Sequence, residues 1–422
     1  MLSSCVTLVL FAPAISPLEA YIQRPEPAYS YRVVDTSGPR TQLEVTSQVW
    51  QGTTWKHNVL YQAGSKDMPT DTAILFITGD GPRPGDNIDL GLISGATQLP
   101  VYMLFNIPNQ PLWDMKEDDL IAHTFNKYLE TKDPTWPLLF PMTKSAIKAM
   151  DAIQDFSSKT GHPITKFIVT GASKRGWTTW LTAATRDKRV VGIAPLVFDN
   201  LNFTPQMSHQ LEHWGAYSEQ IEDYTRRGLQ QKLATKEGQR LQKMVDPFEY
   251  RGNIKVPTMI VNGANDAYWA ADATSYYWNE LKQPKWLVTT PNAGHSLGNK
   301  VQAIESVSAM ARAIAKGKSL PVNPSGTYDL RKDAYTVRFV PQNLVGLKFW
   351  TAVSVTTDFR QRVYRARPTM LEPGATSATF EPRKDLMPSE NVAVFAEVRY
   401  RIDGKEFSIN TPTVVVKGSV AN

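Results

Sequence analysis

Through residue 317 the chain alternates short, wholly apolar β-type runs with segments of helical periodicity. Ala73-Ile74-Leu75-Phe76-Ile77 is one such run, and it ends in the turn Thr78-Gly79-Asp80-Gly81-Pro82. Val101 to Phe105, Lys166 to Thr170, Val190 to Phe198, Thr258 to Val261 and Trp286 to Val288 are others. Between them Met142, Ala146, Ile147, Met150 and Ile153 recur at helical spacing. A strand apolar at every position must be covered on both faces. The alternation therefore predicts an α/β chain with a mostly parallel central sheet and helices on both sides.

Two segments break the rhythm. Residues 200–250 are helix-like, polar and aromatic, with no clear strand, and read as a helical cap inserted into the sheet domain. Pro321-Val322-Asn323-Pro324-Ser325-Gly326 reads as a linker, set at 319–326. Beyond it the period changes to two. Val392, Val394, Ala396, Val398, Tyr400 and Ile402 alternate, and Asp403-Gly404 supplies a hairpin turn before Phe407 and Ile409. The expected organisation is a main domain over 21–318 and a small C-terminal antiparallel β-sandwich over 327–422. A length of 422 residues suits a large domain plus a smaller one.

Apolar residues make up 42% and charged residues 20%, so the chain can bury a large core. The net charge of +6 comes from 46 basic residues set against 40 acidic ones, without a dense Lys/Arg block. That argues against a nucleic-acid partner. Val6 to Ile15 forms an apolar h-region, and Leu18-Glu19-Ala20 offers a signal-peptidase site before Tyr21. Residues 1–20 are therefore expected to be a signal peptide and the protein to be exported, periplasmic or secreted, although a basic n-region is missing. Leu2-Ser3-Ser4-Cys5 looks like a lipobox, but here the apolar run follows the cysteine instead of preceding it. Cys5 is the single cysteine, so a chain cleaved after Ala20 would have no disulfide and no thiolate metal site. No run after residue 20 is long enough to span a membrane.

The chemistry centres on Thr170-Gly171-Ala172-Ser173-Lys174-Arg175-Gly176-Trp177, which follows one predicted strand and opens a predicted helix over 174–185. Such a turn strains the serine backbone and lifts its hydroxyl above the sheet. Gly171 stands two residues before the serine, as that motif requires, but the next glycine is Gly176, three after it, so Arg175 occupies a position usually held by glycine. Strand 258–261 runs into Asn262-Gly263-Ala264-Asn265-Asp266, and strand 286–288 into Pro291-Asn292-Ala293-Gly294-His295. The order Ser173, Asp266, His295 is that of α/β-hydrolases. Each residue follows a different strand at its C-terminal edge, where open α/β sheets place their sites. His295 would take the serine proton, and Asp266 would fix the imidazole tautomer. Asp199 also ends a strand and is the other candidate acid. The backbone N–H of Lys174 is expected in an oxyanion hole, with a second donor around Gly79 or Asp80. Trp177 and Trp269 are candidate substrate contacts in a pocket for a small peptide or ester.

The elbow Gly171 to Trp177 is continued by Pro195-Leu196-Val197-Phe198-Asp199-Asn200-Leu201-Asn202, and Asp246-Pro247 and Asn262 to Asp266 fit the same pattern. Over nearly the whole chain after residue 20 this resembles the PhoPQ-activated pathogenicity-related proteins. The resemblance implies an exported bacterial α/β-hydrolase-like protein with serine-peptidase relatives and a role in virulence or peptide resistance. Glucuronoyl esterases carry a similar elbow, with a basic residue right after the serine, which keeps an ester substrate open beside a peptide. No cofactor and no metal are expected for this chemistry. Two other readings compete. His209-Gln210-Leu211-Glu212-His213 matches H-x-x-E-H, whose histidines share one helix face and could grip zinc, although no third ligand is marked downstream. The fold can also lose its chemistry and serve as a binding module.

Overall fold

The computed structural model describes residues 15–35, 40–68 and 70–418. Its main sheet has nine strands: β1 (Ser30–Asp35), β2 (Arg40–Trp50), β3 (Thr53–Gln62), β4 (Thr72–Ile77), β5 (Val101–Leu104), β6 (Lys166–Ala172), β7 (Val190–Leu196), β8 (Thr258–Gly263) and β9 (Lys285–Thr290). The spatial order is β1-β2-β3-β5-β4-β6-β7-β8-β9. The first three strands and the β3–β5 junction are antiparallel, and every pair from β5 to β9 is parallel. This is the mostly parallel, helix-covered sheet that the alternating runs predict, in the α/β-hydrolase class that the order Ser173, Asp266, His295 points to.

Side-chain alternation divides each parallel strand between two cores. Leu75 and Ile77 of β4, Phe167 and Val169 of β6 and Ile260 of β8 enter one core. Ile74, Ile168, Met259 and Val261 enter the other. The first face is covered by α3 (Glu117–Thr131), α4 (Leu139–Lys159) and α5 (Lys174–Ala184), through Leu120, Met142 and Trp180. The second face is covered by α2 (Asp86–Thr97) and α10 (Val301–Ala315), through Leu90 and Met310. Burial on both faces is why β4 to β9 read as unbroken apolar runs.

Helix α1 (Pro17–Ile22) is part of the first core. Ser16 and Glu19 form a capping box, Leu18 and Tyr21 are buried, and Glu19 pairs with Arg186. The expected cleavage site after Ala20 therefore lies inside a packed helix. The h-region, apart from Ile15, falls outside the described residues.

Between β7 and β8 the chain runs through α6 (Phe203–Trp214), α7 (Glu222–Thr225), α8 (Leu229–Lys232) and α9 (Lys236–Val245), the helical insertion expected at 200–250. Asp246 fixes its start, accepting hydrogen bonds from the Asn202 and Phe203 N–H groups at 3.2 and 2.8 Å. Tyr224 and Arg226 tie it to Asp118 and Asp119 at the start of α3.

After the linker come β10 (Ser325–Asp329), β11 (Ala334–Arg338), β12 (Leu344–Ser354), β13 (Arg365–Thr369), β14 (Ser377–Phe380), β15 (Asn391–Ile402), β16 (Lys405–Asn410) and β17 (Val414–Val416). They form two antiparallel sheets, β10-β11-β14 and β13-β12-β15-β16, with β17 on β15. The sheets face each other through Tyr335, Phe349 and Phe380. Asp403 and Gly404 both have positive φ (50° and 74°), and close the expected two-residue hairpin. The region is less self-contained than its sequence suggests. Val394, Ala396, Val398 and Tyr400 share the core of α10 and β8, while Ala393 and Phe395 on the opposite face pack with Ala264, Phe359 and Tyr364. The linker itself is bonded to β9, with Pro321 O and Asn323 Oδ1 accepting from Trp286 Nε1 and Leu287 N.

Candidate active site

Ser173 stands between β6 and α5 with φ 58° and ψ −125°. A non-glycine residue there stores roughly 1–3 kcal/mol of backbone strain. The turn is held by Ser173 N donating to Leu196 O at 2.9 Å and by Trp177 N donating to Ser173 O at 3.0 Å. Small neighbours are obligatory: a Cβ on Gly171 would meet Arg175 O at 2.8 Å, and one on Gly176 would meet Leu196 O at 2.8 Å. As the first residue of α5, Lys174 has a backbone N–H without an intrahelical acceptor, beside the serine.

The sequence left open how Arg175 fits. Its guanidinium turns away from the turn to meet Glu117 in a two-pronged pair at 2.6 and 2.7 Å, and its Nε donates to Ile107 O at 2.5 Å. Lys174 Nζ reaches Glu117 and Asp118, each at 2.8 Å. Burial works to raise the Glu117 carboxyl, but Arg175 and Lys174 hold it well below the usual carboxylate range. The acidic start of α3 thus anchors both basic residues of the elbow. Gly79 lies directly under Arg175, whose terminal nitrogen is 2.7 Å from where a Cβ would stand. Asp80 accepts from Gln110 at 2.9 Å and pairs with Lys116. Gly79 and Asp80 thus border the Arg175 network, and neither lines the cavity beside Ser173.

His295 follows β9, and its Nδ1 is 2.8 Å from Asp266 Oδ2. Asp266 is 4% exposed and also accepts from Tyr268 N at 2.9 Å. An ionised Asp266 makes Nδ1 the protonated nitrogen and leaves Nε2 with its lone pair. That Nε2 is buried with no hydrogen-bond partner, so it is not yet bonded to the Ser173 hydroxyl. The Tyr268 ring lies tilted against the imidazole, 4.1 Å between centroids. Asp199 faces elsewhere: Thr274 donates to it at 2.8 and 2.9 Å, Tyr277 bonds it as well, and burial pushes its carboxyl up to about 6. Of the two candidate acids, only Asp266 meets the histidine.

An apolar cavity of about 780 Å³, part of it open to solvent, lies against Ser173 and Lys174 under the inserted helices. Trp177 and Trp269 both line it, as expected, together with Tyr268, Phe198, Phe203 and Met207. Trp177 stacks on Phe198 at 5.1 Å and Trp269 meets the same ring edge-on at 6.0 Å. Sequence reasoning missed Tyr268, which touches both cavity and histidine, although it lies two residues after Asp266.

A second serine–histidine contact lies elsewhere. Ser47 Oγ is 2.8 Å from His57 Nε2, but both are at most 1% exposed. His57 Nδ1 faces the carbonyl oxygens of Phe105 and Asn106, with no carboxylate, and burial pushes its pKa down to about 4. Ser47 is further shared with Ser145 at 2.9 Å. This is a satisfied polar knot between β2, β3 and α4.

The model of the PhoPQ-activated pathogenicity-related proteins matches residues 18–360. The chain belongs to that family. A curated relative, autocrine proliferation repressor protein A of Dictyostelium discoideum, is 32% identical over 383 residues, covering 82% of this chain and 76% of its own. Among solved structures, the chain is similar to an acetyl xylan esterase from Paenibacillus sp. R4 (14% identity, TM-score 0.46, 66% of this chain and 86% of that one). It is also similar to acetyl xylan esterase 1 of Thermoanaerobacterium sp. (14% identity, TM-score 0.47, 67% and 89%). No helix among the described residues of this family member is long and apolar enough to cross a membrane.

Proposed function

We propose that this protein is an exported serine hydrolase that cleaves the acyl bond of a peptide or ester. The observation that carries the reading is the state of His295. Its Nδ1 is committed to Asp266 and its Nε2 is free, on the sheet edge where a serine is held at φ 58° beside an apolar cavity. In this mechanism Ser173 Oγ attacks the acyl carbon while His295 Nε2 takes its proton, and the imidazolium later protonates the leaving group. Asp266 holds the tautomer and stabilises the imidazolium. The Lys174 N–H receives the oxyanion, a contact typically worth roughly 3 kcal/mol. Hydrogen bonds of this kind often tighten only when substrate binds. The cavity, with Trp177 and Trp269 in its wall, takes the bulky apolar part of the substrate. Export rests on the apolar run Val6 to Ile15.

A fluorophosphonate probe should label the protein, a chelator should not prevent it, and Ser173→Ala should abolish it. Rates on a panel of p-nitrophenyl esters and aminoacyl amides then decide between ester and peptide. A folded protein that the probe leaves untouched would instead be a binding module. The zinc-peptidase reading fails on its base: Glu212, which H-x-x-E-H would use, is an exposed residue paired with Lys417.

A further inference from the structure

Helix α6 carries more than the cavity wall. Phe203 and Met207 face the cavity, while His209 and His213, four residues apart, share an adjacent stripe of the helix. Both histidines are buried, at 4% and 7% exposed. Opposite them stands Asp272, from the β8–β9 connection that also carries Asp266, Tyr268 and Trp269. The two imidazole centroids are 3.9 Å apart, His209 Nε2 is 2.6 Å from Asp272 Oδ1, and one ligand atom from each of the three residues lies within 4.8 Å of the others. Asp272 is the third ligand that the sequence did not mark.

His213 Nδ1 is buried and has no hydrogen-bond partner among the described residues, in a side chain more than nine-tenths buried. A buried polar atom left unpaired costs free energy that a bound ion would recover. His209 has an outer partner ready: Tyr276 OH lies 3.0 Å from its Nδ1, where it can orient the ring if Nε2 turns to a metal.

We propose that His209, His213 and Asp272 form a structural site for a divalent transition-metal ion, Zn²⁺ foremost, that clamps α6 to the loop bearing Asp266. Two imidazoles and a carboxylate suit Zn²⁺ and neighbouring transition metals, and disfavour Mg²⁺ and Ca²⁺, which want oxygen ligands. Ligand atoms around a tetrahedral ion at about 2.0–2.1 Å stand roughly 3.4 Å apart. Binding therefore requires His209 and Asp272 to part by somewhat under an ångström, with His213 closing in. The fourth position goes to water. With Glu212 turned outward to Lys417, no base stands beside that water, so the ion holds and does not hydrolyse. The clamp is continuous with other α6 contacts to the same loop, where Gln206 and Gln210 donate to Ala273 O and Tyr268 O, each at 3.0 Å.

The test uses the full chain, stripped with a chelator, dialysed and titrated with Zn²⁺. Calorimetry should show one equivalent bound, and Tm should rise by roughly 3–5 °C at a hundredfold excess over Kd. Co²⁺ added to the unmodified protein should give the visible absorption of a low-coordinate site with nitrogen ligands. Asp272→Asn and His213→Gln should each abolish the stoichiometric binding and the Tm rise, while His295→Ala keeps both. No stoichiometric binding and no Co²⁺ spectrum in the unmodified protein would overturn the proposal, as would binding that survives both variants and disappears with His295→Ala. Probe labelling of Ser173 reports separately on the hydrolase reading, so the two can fail independently.

Discussion

Two of the histidines in this molecule, His57 and His295, each hold a short contact through one ring nitrogen, and they differ in what the other nitrogen does. His57 is enclosed between β2, β3 and α4, with a serine on Nε2 and carbonyl oxygens on Nδ1. His295 rests on Asp266 through Nδ1 and keeps Nε2 unpaired. A serine–histidine distance alone would select His57. Its serine has no cavity, its ring has no carboxylate, and its hydrogen bonds are spent. On the hydrolase reading, the reactive histidine is the one with an unspent nitrogen, on the sheet edge that also carries the strained Ser173. A buried pair with every bond made contributes to stability.

The largest effect expected from that contrast lies between the two serines. Ser173→Ala should lower kcat on a chosen ester by about 10⁶-fold, the scale seen when a triad nucleophile is removed elsewhere. Ser47→Ala should leave kcat within a few-fold and cost about 1–3 kcal/mol of stability, because His57 Nε2 loses its donor in the core. Rates and denaturation midpoints for the two variants test this, and a large rate loss at Ser47 would reverse the comparison.

Next in size is the contrast between the acids. Asp266→Asn should cost about 10⁴-fold in kcat with the fold intact, because the amide favours the wrong imidazole tautomer. Asp199→Asn should cost far less, since Asp199 bonds Thr274 and Tyr277 and does not touch His295. Equal losses in kcat would show that the two carboxylates act as one unit.

Asp199 should instead be visible in the pH dependence of stability. Burial raises its carboxyl from 3.8 unfolded to about 6 folded. A raised folded pKa means that the folded state binds the proton more tightly. The resulting stabilisation is complete below pH 3.8 and lost as pH rises through about 6. Relative to Asp199→Asn, the wild-type protein should therefore lose about 2 kcal/mol between pH 4 and pH 6. Thermal melts of both proteins across that window measure it, and parallel curves would place the titration elsewhere.

What the sequence showed and what it hid separate along physical lines. The sheet was legible because doubly covered strands must be apolar throughout, as Ile74 and Leu75 are, one on each face. Ser173, Asp266 and His295 could be nominated from the sequence because each follows its own strand. Hidden were partners that only the tertiary fold brings together. Glu117 gives no sign in sequence that it will receive Arg175 and Lys174, and Asp272 none that it will face His209. The alternation in β15 marked one buried face and concealed the second, because Ala393 and Phe395 look like outward positions until the Ala264 loop covers them.

That second face yields the smallest effect and a direct test of whether the C-terminal sheets only lie beside the site. Segment 359–364, between β12 and β13, touches both loops that carry the pair. Asn265, next to Asp266, donates through Nδ2 to Phe359 O and Arg362 O at 2.8 and 2.7 Å. Asn292, three residues before His295, exchanges two bonds with Tyr364, at 2.9 and 2.7 Å. One segment thus fixes the spacing between acid and histidine loops. Misplacement by an ångström can cost 10²-fold, and a loosened loop samples only part of that. Asn265→Ala and Asn292→Ala should each lower kcat about tenfold with KM little changed, since neither residue lines the cavity. The double variant is the sharper measurement. If both act through the same segment, releasing one loop already spoils the spacing, and the second loss should be smaller than the first. Fully additive losses would mean that the two loops are held independently, and unchanged rates that the C-terminal sheets have no part in positioning Asp266 and His295.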